Sequence, residues 1–311
     1  MKKRILFGMM LIGSMLILQT SCDKVENPIK PPVEQDTTIF PGNWADYPEP
    51  VWTQNANSNR NILLEDYTGH RCPNCPQAAD EAKLLEDNNP GRVFVASVHA
   101  GLGGISSFQE TATDCGLPSN PENKYCTQFY NDISLAYGNA FSSGFGFIGN
   151  PMGTINRTTP TGPTSMFLLR NAWAGRVSDV LNANDLKVNI QAQSNYYAST
   201  NGFYLHTEVE FLEDLTGNYN TVVYLIENDI LDWQDVNSYD SLYHHHNVMQ
   251  DCIDGLPWGR TISGGTETGN KTYFDYSYKL PSGKTNEDYH LLIYVYDLDT
   301  YEVLQVIKHE F

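Results

Sequence analysis

Leu64-Glu65-Asp66-Tyr67-Thr68-Gly69-His70-Arg71-Cys72-Pro73-Asn74-Cys75-Pro76 carries two cysteines, two residues apart, where an apolar run ends and a helical pattern begins. The run is Ile62-Leu63-Leu64, continuous and short enough for a buried strand within Asn61 to Tyr67. The helical pattern is Ala78, Ala82 and Leu85 within Gln77 to Asn88, stopped by Asn89-Pro90-Gly91. Val93 to His99 is a second apolar run, so the order is βαβ with the cysteines at the first strand-to-helix turn. A helix start stabilises thiolate through its unpaired N–H groups and the positive end of its dipole, and Arg71 adds positive charge. The pair therefore reads as a dithiol–disulfide couple, with Cys72 the attacking thiolate and Cys75 the resolving thiol.

The same spacing also serves a structural disulfide or half of a zinc site. Zinc needs two further ligands, and the chain has no second C-x-x-C. Haem attachment needs histidine at 76, where the chain has Pro76. His70 and His99 stand at strand ends of the same unit, where they could join the cysteines on copper or zinc or act as ordinary polar residues at loop edges.

Downstream, residues 101–147 are rich in Gly, Ser and Asn and read as an insertion with one helix from about Thr127 to Tyr137. Gly149-Asn150-Pro151-Met152-Gly153-Thr154-Ile155-Asn156 is a turn running into a short strand. Thioredoxin-like folds set a cis-proline loop against their dithiol, and Pro151 stands at the matching point of the chain order. Ser165 reads as the N-cap of a helix through Leu181, with Leu168, Ala172, Val177 and Leu181 as core positions.

From Leu186 onward the pattern changes to strand after strand. Phe203, Leu205, Thr207, Val209 and Phe211 alternate, as do Phe274, Tyr276, Tyr278 and Leu280. Val222 to Ile226, Leu291 to Tyr296 and Val303 to Ile307 are further strands. This density without helices predicts an antiparallel β-sandwich over 184–311, following an α/β domain over 51–183. His244, His245 and His246 sit among these strands, and in an extended segment only His244 and His246 face the same way. With no acidic or thiol partner evident in the sequence, they read as structural or surface residues.

Upstream, Lys2, Lys3 and Arg4 precede an apolar run from Ile5 to Leu18 and then Gln19-Thr20-Ser21-Cys22. The run is too short for a spanning helix and reads as a lipoprotein signal over 1–21, with Cys22 the lipidated first residue. Cleavage there removes three of the 19 basic residues and none of the 37 acidic ones, taking the formal net charge from −18 to −21. Such a polyanion repels nucleic acid and anionic lipid headgroups. Residues 22–50 hold Pro28, Pro31, Pro32, Pro41, Pro48 and Pro50 and read as an extended tether.

With Cys22 assigned to lipid, five of the six cysteines remain. Cys72 with Cys75 and Cys115 with Cys126 pair by proximity, leaving Cys252 as a small buried thiol.

Leu63 to Pro76, the Gly149-Asn150-Pro151 loop with Asn156-Arg157, and His246-Asn247-Val248 leading to Gly255 and Trp258-Gly259 together resemble the Bacteroidetes outer membrane protein 28 related lipoproteins. The resemblance implies an outer-membrane lipoprotein, on the periplasmic face or the cell surface. It also implies a thioredoxin-like domain followed by an immunoglobulin-like sandwich. By similarity to thioredoxins, Cys72 would be the nucleophile, Cys75 the resolving cysteine and Pro151 the cis-proline. Two functions stand side by side: thiol–disulfide exchange on exported proteins, or non-catalytic surface binding of a protein or peptide partner with Cys72–Cys75 as a clamp. A third is metal transfer through the dithiol and a histidine. Apart from that third reading, no cofactor is expected.

Overall fold

Ile62–Tyr67 forms strand β1 and Val93–Val98 forms β2, paired in parallel with Leu64 opposite Val95. Every residue of both is buried, as continuous apolar strands covered on two faces must be. Helix α1, Cys75–Asn88, makes the crossover, and β3, Met152–Ile155, lies antiparallel on the other edge of β1 with Met152 opposite Tyr67. The computed structural model describes residues 35–159 and 165–311, so the expected signal and Cys22 lie outside the described residues.

Side-chain alternation along β1 and β2 divides the core. Ile62, Leu64, Val93 and Val95 face α1 and α3, Trp173–Ala183, meeting Ala78, Ala82 and Trp173. Leu63, Tyr67, Ala96 and Val98 face the other way, toward α2, Asp132–Ala140. The helix expected from Thr127 starts at Asp132, because Asn131 and Ser134 form a reciprocal capping box. The helix expected from Ser165 starts only at Trp173. Ser165 instead donates to the Phe145 and Phe167 carbonyls, and Leu168 bridges to Gly153 on the edge of β3. That approach needs glycine, since a Cβ at 153 would stand 2.6 Å from the Trp173 ring.

The later strands are β4 (Val188–Tyr197), β5 (Gly202–Phe211), β6 (Tyr219–Val236), β7 (Tyr239–Cys252), β8 (Arg260–Thr261), β9 (Lys271–Lys279), β10 (Tyr289–Asp297) and β11 (Val303–His309). β4, β5 and β9 form a three-stranded antiparallel sheet. The others join the first three in one mixed sheet, ordered β11-β10-β6-β7-β2-β1-β3 with β8 on β6. The two sheets face each other through Val188, Phe203 and Leu205 on one side and Val223, Leu225 and Ile293 on the other. A sandwich is thus present, but one of its sheets continues into the α/β half. The continuation is a parallel contact between β2 and β7 at Ser97 and Val248, a long-range pairing that no local pattern announces.

A buried ion pair of the first half reaches two tyrosines of the second. Arg157 donates from Nε and Nη2 to the two Glu65 oxygens at 2.7 Å each, and Nη2 also donates to the hydroxyls of Tyr224 and Tyr294. Burial alone would raise the Glu65 carboxyl, but the Arg157 charge and these hydrogen bonds hold it below its ordinary range. Part of the stretch read as tether is packed. Ile39 and Tyr47 are buried against Tyr204, whose hydroxyl donates to the Asp36 carbonyl at 2.7 Å. Among the described residues no helix is long and apolar enough to cross a membrane.

Candidate functional site

Helix α1 begins at Cys75, so Pro76 occupies its first turn, where no intrahelical bond would use its missing N–H. Cys72 and Cys75 are disulfide-bonded at that helix start. The loop before them turns sharply, with the Cys72 N–H on the Gly69 carbonyl at 3.0 Å and the Arg71 N–H on the Phe108 carbonyl at 3.0 Å. Gly69 is required there, because a Cβ would stand 2.5 Å from the Phe108 oxygen.

Both cysteines are only 1% exposed, and the cover comes from far along the chain. The β6–β7 hairpin runs past the sheet and lays its tip on the dithiol loop. Asp235 N–H donates to the His70 carbonyl at 2.8 Å, and Asn237 N–H to the Pro73 carbonyl at 3.2 Å. The Gln234 side chain donates to the Cys72 carbonyl at 3.0 Å. The sequence reading missed this cover. Its only trace is the unbroken length of the polar-tipped strands on either side of Asn237-Ser238.

Beneath the dithiol lies a cleft of about 20 Å³ lined by Asp66, Cys75, His99, Gln234, Tyr243 and His245, among others. Asp66 is fully buried, and neither of its oxygens has a hydrogen-bond partner among the described residues. Burial pushes its carboxyl up to about 8. Asp66 was not singled out from the sequence, although it ends the alternating set Ile62, Leu64, Asp66 on the face that meets α1.

Pro151 precedes β3 at the same end of the sheet, and the Asn150–Pro151 peptide bond is cis. The Gln109 side chain links the Thr68 carbonyl, at 2.6 Å, to the Asn150 side chain, at 3.2 Å. The insertion holding Gln109 is stapled by the expected Cys115–Cys126 disulfide. It presents Phe129 to three imidazoles: His99 stacks on it at 4.6 Å between ring centres, with His245 at 4.5 Å and His70 at 5.4 Å. Burial first, then neighbouring imidazole charge, lowers His99 well below its ordinary value and takes His245 down to about 4.

His70 and His99 do not converge as a pair on the sulfurs. His99 lines the cleft with Cys75, whereas His70 bonds the Glu110 carbonyl through Nε2 at 3.0 Å. Among the described residues no three metal-ligating side chains are set to hold an ion. In the histidine triplet, His244 and His246 do share a face, and both contact Asp229 across the hairpin, at 2.8 and 3.2 Å. His245 turns inward to the cleft. Cys252 is buried and free, its thiol pushed up by burial.

A family model described as outer membrane protein Omp28 matches residues 138–311. HBP35 of Porphyromonas gingivalis has a similar fold, with a TM-score of 0.59 at 15% identity over 81% of this chain and 75% of that one. A domain of the outer membrane lipoprotein Omp28 from Porphyromonas gingivalis matches 40% of this chain and 88% of its own, at 24% identity and a TM-score of 0.28. No curated protein matches.

Proposed function

The chain belongs to the outer membrane protein Omp28 family, and from that premise we propose that it is an outer-membrane lipoprotein whose thioredoxin-like dithiol exchanges disulfides with exported proteins. In this reading Cys22 carries the lipid, residues 51–183 are the thioredoxin-like part with its insertion at 101–147, and residues 184–311 are an immunoglobulin-like sandwich. The order β1, dithiol, α1, parallel β2, α2, Pro151 loop, antiparallel β3, α3 supports the thioredoxin-like assignment.

One observation carries the redox role: Asp66 is buried without a partner among the described residues, in the cleft that Cys75 lines. An uncompensated carboxyl in an apolar interior costs stability, and a structural clamp has no use for one. A carboxyl raised to about 8 is poised to exchange a proton with a neighbouring thiol at neutral pH. In the reduced protein the Cys72 thiolate attacks a substrate disulfide, forming a mixed disulfide and releasing one substrate thiolate. Cys75 then gives its proton to the Asp66 carboxylate, and its thiolate attacks the Cys72 sulfur. The Cys72–Cys75 bond forms and the second substrate thiolate leaves. A dithiol reductant in the envelope restores the pair.

The hairpin cover favours the second reading, a surface binding protein in which the disulfide is a clamp. Two measurements separate them. The redox reading expects Cys72→Ser to abolish reduction of a model disulfide by the reduced protein, and undiminished activity in that variant ends it. The clamp reading expects a reduction potential below about −300 mV and no turnover.

A further inference from the structure

The cleft under the dithiol is built from both halves of the chain and holds more unpartnered polar atoms than Asp66 alone. Among the described residues His99 Nδ1 and His245 Nε2 also lack hydrogen-bond partners, and the two residues are 2% and 6% exposed. Three orphaned polar side chains around one space of about 20 Å³ are costly unless something satisfies them, and that volume admits a single water. Asp66 is otherwise sealed. A proton that reaches its carboxyl from Cys75 must leave again before the next cycle.

Two facts give the route. The cleft shares Ala79, Ser97, Tyr243 and His246 with a groove of about 390 Å³ between α1 and β7, and His246 is about half exposed there. His99 stacks on Phe129 and His245 packs tilted against it, which holds the two imidazoles 5.9 Å apart between centres.

We propose that His99 and His245, bridged to Asp66 by a water in this cleft, carry the Cys75 proton between Asp66 and the groove. They act through Asp66 and are positioning residues for proton transfer, touching neither substrate nor sulfur bond. Each step moves one proton: Cys75 thiol to Asp66 carboxylate, Asp66 to water, water to a neutral imidazole, and imidazolium to solvent. Both imidazoles are neutral at rest, and the burial that keeps them neutral makes each pass a proton on rather than hold it. The other titratable groups facing them are His70 from the dithiol loop, Asp232 from β6, and Tyr243 and His246 from β7, with Arg71 acting on His70 and Asp80 on Tyr243. The β6–β7 hairpin is thereby a working wall of the site as well as its cover. This rests on the exchange reading above.

The test follows the reduced full chain mixed with dithiobis(nitrobenzoate). The first thiolate released reports attack by Cys72, and the second reports resolution by Cys75. His99→Phe and His245→Phe are expected to leave the first phase unchanged and to slow the second about 10- to 100-fold near neutral pH, with added imidazole restoring part of the rate. Variants with a wild-type second phase overturn the relay and leave the exchange reading standing. A wild-type protein with no second phase overturns both. Should a variant fail to fold, the unmodified protein still decides: mixtures of light and heavy water give a curved dependence of the second-phase rate if several protons move, and a linear one overturns the relay.

Discussion

The side-chain amide of Gln234 donates a 3.0 Å hydrogen bond to the main-chain carbonyl of Cys72, joining the tip of a hairpin in the second half to the dithiol loop in the first. Because the bond is buried, Gln234→Leu leaves that carbonyl with the Cys75 N–H as its remaining donor and loosens the cover. A lost buried hydrogen bond of about 1–2 kcal/mol raises the uncovered population about 5- to 30-fold. Reduction of the Cys72–Cys75 disulfide by a phosphine should accelerate by that factor, read as thiols formed with time. An unchanged rate would mean that the hairpin does not limit access.

The buried pair Glu65–Arg157 ties β1 to β6 and β10 through the Tyr224 and Tyr294 hydroxyls. Arg157→Met strands a buried carboxylate and should cost about 3–5 kcal/mol in urea unfolding. Adding Glu65→Leu should recover most of that loss, because the charge left behind is then gone. Since the pair's hydrogen bonds to Tyr224 and Tyr294 and the shared sheet cross between the halves, unfolding of the wild-type protein should be a single transition. Two separated transitions would refute this coupling.

Much of the first half was legible because its determinants are local. Continuous apolar runs gave β1 and β2, helical spacing gave α1, and cysteine proximity gave both disulfides. The starts of α2 and α3 differ from expectation because Asn131 caps α2 past Thr127, and because only packing decides that Ser165 meets the Phe145 and Phe167 carbonyls and caps no helix. What escaped entirely was non-local. The β2–β7 pairing, the hairpin on the dithiol, and Asp229 opposite His246 each join residues well over ten positions apart, and no periodicity encodes them. Asp66 was in view but silent, since a second carboxylate after Ile62-Leu63-Leu64-Glu65 looks like a strand end until its burial is known.

The Cys115–Cys126 disulfide closes an 11-residue separation, and its loop presents Tyr125 and Phe129 to His70, with Phe129 also against His99. Replacing both cysteines by serine should cost about 3 kcal/mol through the entropy of the unfolded loop. The same change should speed hydrogen exchange in residues 108–130. If exchange there stays slow, the tyrosine and threonine bonds from this loop to Asp240 and Asp232 hold it without the staple.

Asp66 makes stability depend on pH in a direction opposite to that of a paired carboxylate. Its carboxyl titrates near about 8 in the folded protein, raised by burial from an ordinary 3.8. Between those values the folded chain keeps a proton that the unfolded chain has given up, so stability falls as pH rises through that window and levels outside it. Asp66→Asn removes the titration. Its gain should grow from nothing at about pH 4 to on the order of 5 kcal/mol at about pH 8, less about 1–3 kcal/mol for burying an amide with no partner. Urea midpoints of the two proteins across that range measure the difference. The same variant should slow resolution by Cys75 while leaving attack by Cys72 intact. A residue kept only for packing would show the growing gap in stability but no selective loss in rate, so the rate decides whether this carboxyl is held against its cost for chemistry.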